Sequence, residues 1–260
     1  MEKVHDFIRL RLSARVVPRN PLSAFKNSLR QVNCDRPTIS ILRPRLWPFW
    51  LAAALISLTL LSVQARDSFR LDRNLLESVE QNYGRQAKQR LLDWQNLIND
   101  DQSANDLEKL VKVNVFFNQQ EFISDLLLWK DTDYWATPVE FLAQNGGDCE
   151  DFSIAKYFTL KKLGIDEDKL NLTYAKAVKL DQAHMVVTYY AQPNAEPLIL
   201  DNLDQSIKPA SERPDLLPVF SFNGIGLWLA KERGRGKLVG TSSRYKHWQD
   251  LQGRMPEGLN

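Results

Sequence analysis

The hydrophobic period of this chain changes once, near Leu170, and does not change back. Upstream, Ala87, Leu91, Trp94 and Ile98 recur at spacings of four, three and four, the stripe of an amphipathic helix. Downstream, short alternating runs follow one another: LNLTYAKAVKL, HMVVTYYA after a turn at Asp181-Gln182, PLILDNL, VFSFN and GIGLWLA. Helices gathered ahead of antiparallel strands predict an α+β domain. A hydrophobic share of 43% and a charged share of 25% supply an ordinary core and exclude collagen-like or wholly disordered chains.

Local signals place the helices more closely. Residues 68–130 read as helical, and Ser103 is the expected N-cap of a helix whose Leu107, Leu110, Val111 and Val115 should pack inward. Thr137-Pro-Val-Glu140 is a capping box with proline at the first helical position. Gly146-Gly147 should end that short helix in a tight turn. The next helix should start near Asp148 and run to Gly164. Trp94, Trp129 and Trp228 read as core residues.

Charge divides the chain into three segments. Residues 1–45 hold ten Lys/Arg against three Asp/Glu, residues 46–65 hold no charge, and the rest is net acidic although the whole chain is +2. The basic excess therefore belongs to the leader, and a nucleic-acid-binding role is excluded. WPFWLAAALISLTLLSV follows Arg43-Pro-Arg45 and ends at Val63-Gln64-Ala65, the layout of a secretory signal; an uncleaved membrane anchor is the other reading. The expected organisation is a basic leader with signal or anchor over 1–65, a domain over 66–230, and a basic Gly-rich tail over 231–260 that lies loosely on the surface. In either case the domain lies outside the cytoplasm. Cleavage removes Cys34 and leaves Cys149 as a lone thiol in an oxidising compartment.

Cys149 falls in the first turn of a predicted helix, where the helix dipole favours a thiolate. A nucleophilic thiol needs a base, and the base needs an orienting acceptor. His184 opens an apolar strand and Asp201 ends a neighbouring one, so Cys149, His184 and Asp201 form a possible nucleophile, base and orienter. Each also has a structural reading: a buried cysteine, an edge histidine, a turn-capping aspartate. His247 lies in the polar tail and should be solvated. The Cys149 amide would meet an oxyanion, with Gln144 as the candidate side-chain donor; a solvated helix residue is its other reading. Asp148, Glu150 and Asp151 place like charge beside a thiol that must ionise. Bound Ca2+ would relieve that conflict, while helix capping by Asp148 with Asp151 in the first turn explains the same residues without a metal.

The motifs Tyr134-Trp-Ala-Thr-Pro-Val-Glu140, Gly147-Asp-Cys-Glu-Asp151, Lys156-Tyr-Phe, His184-Met-Val, Leu200-Asp-Asn202 and Phe222-Asn223 resemble, in this order, the bacterial transglutaminase-like cysteine peptidases of the LapG type. The resemblance spans roughly residues 70–230. It implies a papain-like or transglutaminase-like core and a Cys149, His184, Asp201 triad. It also implies Ca2+ dependence and tips Asp148 and Glu150 towards calcium ligation, with Asp151 as a further candidate. For function it implies a periplasmic endopeptidase that cuts a large surface adhesin near its N-terminus at a double-alanine site. Such cleavage releases the adhesin and promotes biofilm dispersal, under sequestration by an inner-membrane cyclic-di-GMP receptor.

Two other functions fit the same residues. Acyl transfer uses the same triad with an amine in place of water. A non-catalytic calcium-binding periplasmic module would keep the acids and not need the thiol. HExxH, CxxC, GxSxG and phosphate-loop patterns are absent from the sequence.

Overall fold

The computed structural model describes residues 68–229 and 236–259. The expected leader at 1–65 lies outside the described residues, among which no helix is long and apolar enough to cross a membrane. Helix α1 (Arg73–Tyr83) is capped by Asp72, and α2 (Arg85–Asp100) buries Ala87, Leu91, Trp94 and Ile98, the stripe expected from their spacing.

The next helix, α3 (Asp106–Phe117), differs from expectation in two ways. Its N-cap is Asn105 rather than Ser103, because Glu108 sits three residues beyond Asn105 and closes a capping box. Its inward face is Leu110, Val113 and Phe117, while Leu107, Val111 and Val115 are each more than half exposed. This helix is apolar on two sides, and the side carrying the larger Phe117 is the one the core takes.

After the two-residue strand β1 (Glu121–Phe122) and the single turn α4 (Asp125–Leu128), α5 (Pro138–Gln144) begins at the Thr137/Glu140 capping box. Asn145, with φ 66°, takes the left-handed position that ends α5. The glycine pair therefore does not make the turn. It forms β2 (Gly146–Gly147), parallel to β1, and the glycines are required for close approach. A Cβ on Gly146 would lie 2.0 Å from the Glu121 carbonyl oxygen, and one on Gly147 2.2 Å from the Asp151 carboxylate.

Helix α6 (Cys149–Lys162) starts at its N-cap Asp148 and is buried along most of its length. It packs against α3, α5, β3 and β4. The Trp94 indole donates to Thr159 Oγ1 on this helix at 2.8 Å.

The strands are β3 (Leu170–Ala177), β4 (Gln182–Tyr189), β5 (Leu198–Leu200), β6 (Lys208–Pro209), β7 (Leu216–Phe222), β8 (Leu227–Leu229) and β9 (Lys237–Gly240). They form one antiparallel sheet in the order β6-β5-β4-β3-β7-β8-β9. Leu170, Leu172, Met185, Val187 and Phe222 join the helices in the main core. Val187 pairs with Leu200, so continuing the register by one residue places Asp201 across from Val186, on the same face as His184. The strand pairing thus brings His184 and Asp201 together.

The expected loose tail is a correction. Within 236–259, β9 extends the sheet, and helix α7 (Lys246–Arg254) buries Trp248 and Leu251, followed by Met255 and Leu259. These four apolar side chains recur every three or four residues and are enough to dock a segment whose average composition is polar.

Candidate active site

Cys149 is the first residue of α6 and is buried. Two backbone groups of one residue tie this turn to β4. The Met185 amide faces the Cys149 sulfur, and the Met185 carbonyl accepts from Ser153 Oγ at 2.9 Å. The residue that follows His184 is therefore held against the N-terminal part of the cysteine helix.

His184 is itself buried, and its Nε2 lies 2.7 Å from Asp201 Oδ1. Asp201 is held from every side. Arg213 Nη2 donates to Oδ2 at 2.6 Å and the Leu203 amide to Oδ1 at 3.0 Å. Its backbone carbonyl accepts from Asn118 Nδ2 at 2.8 Å and from the buried Lys156 Nζ at 3.0 Å. Burial opposes its ionisation, but His184, the Leu203 amide and Arg213 outweigh that cost and hold its pKa at about 2. Arg213 also pairs with Asp215 at 2.8 Å, so the carboxylate charge is shared along a chain of groups. Burial draws the Lys156 ammonium down to about 7 against the attraction of Asp201.

The acids beside the thiol are in conflict. Asp148 caps α6 through a bond from the Glu150 amide at 3.2 Å, and the Cys149 thiol donates to Glu150 Oε2 at 2.7 Å. Burial, then the Glu150 and Asp148 charges, push the thiol well above its ordinary value. Burial and the Glu150 charge raise Asp148 to about 8. Asp151 receives the Ala136 amide on Oδ1 at 2.7 Å and is raised well above the carboxylate range by burial and Asp148.

A residue that sequence reading passed over, Asp125 at the start of α4, joins the cluster. It accepts the Tyr134 amide at 2.6 Å and is lifted to about 7 by burial and Asp148. Carboxylate oxygens of Asp125, Asp148 and Asp151 lie within 4.8 Å of one another, as do ligand atoms of Asp148, Cys149 and Glu150. Asp125 Oδ1 and Asp151 Oδ2 are buried without a hydrogen-bond partner. Unpartnered buried carboxylate oxygens within one acidic cluster are a donor set for a hard cation.

The structure thus brings Cys149 to the backbone next to His184, His184 to Asp201, and Asp148, Glu150 and Asp151 to one acidic cluster. Gln144 ends α5, half-buried, separated from Cys149 by the Asn145 turn and the glycine pair. His247, expected in solvent, packs against Trp135 at 5.6 Å and Tyr245 at 5.5 Å between ring centroids, with Nε2 3.7 Å from Asp133. Asn118, Asp125 and Arg213 were missed, since each is an ordinary polar residue in its local sequence and acquires a role only through the fold.

A buried helix-start thiol beside an antiparallel sheet that carries a His–Asp pair is the arrangement of a transglutaminase-like core. Residues 85–215 match the family model described as bacterial transglutaminase-like cysteine proteinase, and the chain belongs to that family. Among solved structures it is similar to LapG of Legionella pneumophila at 44% identity, with a TM-score of 0.61, covering 70% of this chain and 95% of that one. The calcium-bound form of the same protein matches at 44% identity and 0.61, over 71% and 99% of the two chains. Its EGTA-treated form matches at 45% and 0.62, over 70% and 95%. No curated protein sequence matches significantly.

Proposed function

We propose that this protein is a calcium-dependent periplasmic cysteine endopeptidase. It cuts the N-terminal region of a large surface adhesin at a double-alanine site, which releases the adhesin and promotes biofilm dispersal. An inner-membrane cyclic-di-GMP receptor restrains it by sequestration. The observation that carries the chemistry is the His184 Nε2–Asp201 Oδ1 pair at 2.7 Å on a strand whose next residue, Met185, is bonded through its carbonyl to Ser153 of the Cys149 helix. Export rests on the apolar run before residue 66 and on the lone mature thiol. Family membership and the calcium-bound and EGTA-treated LapG structures support the peptidase and calcium readings.

With Nε2–H donated to Asp201, the free nitrogen of His184 is Nδ1, which takes the Cys149 proton. The thiolate attacks the scissile carbonyl, and the oxyanion meets the Cys149 amide at the open first turn of α6, with Gln144 as the candidate side-chain donor. The imidazolium protonates the leaving amine, and water hydrolyses the thioester. Asp201 fixes the tautomer and stabilises the cation, and Arg213 and Lys156 hold Asp201 in place.

The acidic cluster fits Ca2+ by its all-oxygen donors and by the two orphaned carboxylate oxygens. Asp125, Asp148 and Asp151 would hold the ion with Glu150, backbone carbonyls and water completing the set. A cation held there would offset the negative field of Asp148 and Glu150 that disfavours the thiolate.

The test is incubation of the protein with an adhesin N-terminal fragment containing paired alanines, with Ca2+ or with EGTA, read by gel and mass spectrometry. One cut, lost in EGTA and lost in Cys149→Ala, is expected. No cut by a folded protein in Ca2+ refutes the endopeptidase reading, and an amine-linked product in its place would favour acyl transfer.

A further inference from the structure

Two anchors on the C-terminal helix reach the acidic cluster. At its end, Arg254 spreads its guanidinium over three acceptors. Nη1 donates to Tyr134 Oη at 2.5 Å and to Glu140 Oε2 at 2.6 Å, and Nη2 donates to the Trp135 carbonyl at 2.5 Å. The stretch it grips is the one whose amides hold two of the carboxylates: Tyr134 N–H on Asp125 Oδ2, and Ala136 N–H on Asp151 Oδ1. In both acids the other oxygen is the orphaned one. The direction of each free oxygen therefore follows the position of residues 134–136.

The second anchor lies at the start of the same helix. The Tyr245 phenol faces that of Tyr174, and Tyr174 Oη lies 3.5 Å from Glu150 Oε1. Between the anchors, Trp248 is almost fully buried against Phe158 and Phe222, at 5.6 and 5.5 Å between ring centroids, which fixes the helix to the core. Both anchors lie beyond residue 215, where the match to the family model ends.

We propose that the C-terminal helix is part of the scaffold of the cation site: Arg254 and Tyr245 are positioning residues that orient the Asp125, Asp151 and Glu150 carboxylates and so set the affinity for Ca2+. The inference rests on the calcium reading given above. A residue that orients first ligands from behind typically changes metal affinity ten- to a hundredfold when it is removed, roughly the size expected here. A merely structural strut would instead weaken the fold equally with and without metal.

The test uses the full chain and Ca2+ alone. Titration calorimetry gives Kd, and thermal unfolding in EGTA and in Ca2+ gives the rise in Tm caused by the ion. Arg254→Ala should weaken Kd about tenfold or more and shrink the Ca2+-induced rise. Arg254→Lys should not restore affinity, since one ammonium does not span three acceptors. Tyr245→Phe removes only a hydroxyl, so its packing survives if Arg254→Ala fails to fold, and it should show a smaller shift in the same direction. The exposed Arg85→Ala is the control and should bind as wild type does. Unchanged Kd in a folded Arg254→Ala, or in Tyr245→Phe should Arg254→Ala not fold, overturns the proposal. Absence of Ca2+ binding by the wild type overturns the calcium reading itself and this inference with it.

Discussion

Removing a charge from the acidic cluster should stabilise the metal-free protein. Asp148→Asn is the cleanest perturbation, because asparagine caps a helix as well as aspartate does and the bond from the Glu150 amide can remain. Asp148 is raised from 3.8 to about 8, so at pH 7 the folded protein keeps a proton that the unfolded chain releases. At 1.36 kcal/mol per pKa unit, the span from 3.8 up to pH 7 sets a ceiling of about 4 kcal/mol on the gain at that pH. Water entry and relaxation around a half-buried group take part of it, leaving roughly 2 kcal/mol, or about 4–8 °C in Tm for a domain of this size. The sign with pH follows from linkage. The folded pKa is the higher one, so the folded state binds more protons between about 4 and 8, and wild-type stability falls as pH rises through that window. The gain from Asp148→Asn should therefore be largest near pH 8 and vanish towards pH 4. Thermal unfolding in EGTA across this range is the assay. A variant less stable than wild type at pH 8 in EGTA would refute the argument that these carboxylates repel one another in the absence of metal.

Four further substitutions test other parts of the structure. Arg213→Met leaves Asp201 and Asp215 without their shared cation and should cost about 3 kcal/mol in urea unfolding, because one partner of a buried ion pair is removed. Gly146→Ala drives a Cβ to within 2.0 Å of the Glu121 carbonyl and should break the β1–β2 pairing, seen as faster hydrogen exchange at the Glu121 and Ile123 amides, which bond to Asn145 and Gly147. Val111→Lys, on the exposed side of α3, should shift stability by no more than about 0.5 kcal/mol, whereas Leu110→Ala on the buried side should cost 2 kcal/mol or more, roughly.

Features written in short stretches of sequence were readable, and those assembled across the chain were not. The Thr137/Glu140 capping box, the Asp148 cap and the Gly164 stop are local, and each helix boundary they mark is where it was expected. The order of helices and strands gave the α+β class for the same reason. Helix α3 shows the limit: its two apolar faces have the same period, and only packing against α6 decides that Leu110, Val113 and Phe117 go inside. Asp125 and Arg213 enter the site from positions 24 and 64 residues away from Cys149, and nothing near them in sequence marks that role. The basic, glycine-containing composition of the C-terminal segment conceals the spacing of Trp248, Leu251, Met255 and Leu259.

The central claim is that Cys149 is a nucleophile activated by His184 and released by cation binding from the acids around it. Its direct measurement is the rate of Cys149 alkylation by iodoacetamide at pH 6.5, followed at the peptide level so that Cys34 does not interfere. Wild type should react quickly in Ca2+ and slowly in EGTA, and His184→Ala should be slow in both, since an unassisted thiol of raised pKa is protonated there. Equal rates for wild type and His184→Ala in Ca2+, or a wild-type rate indifferent to EGTA, would contradict the claim.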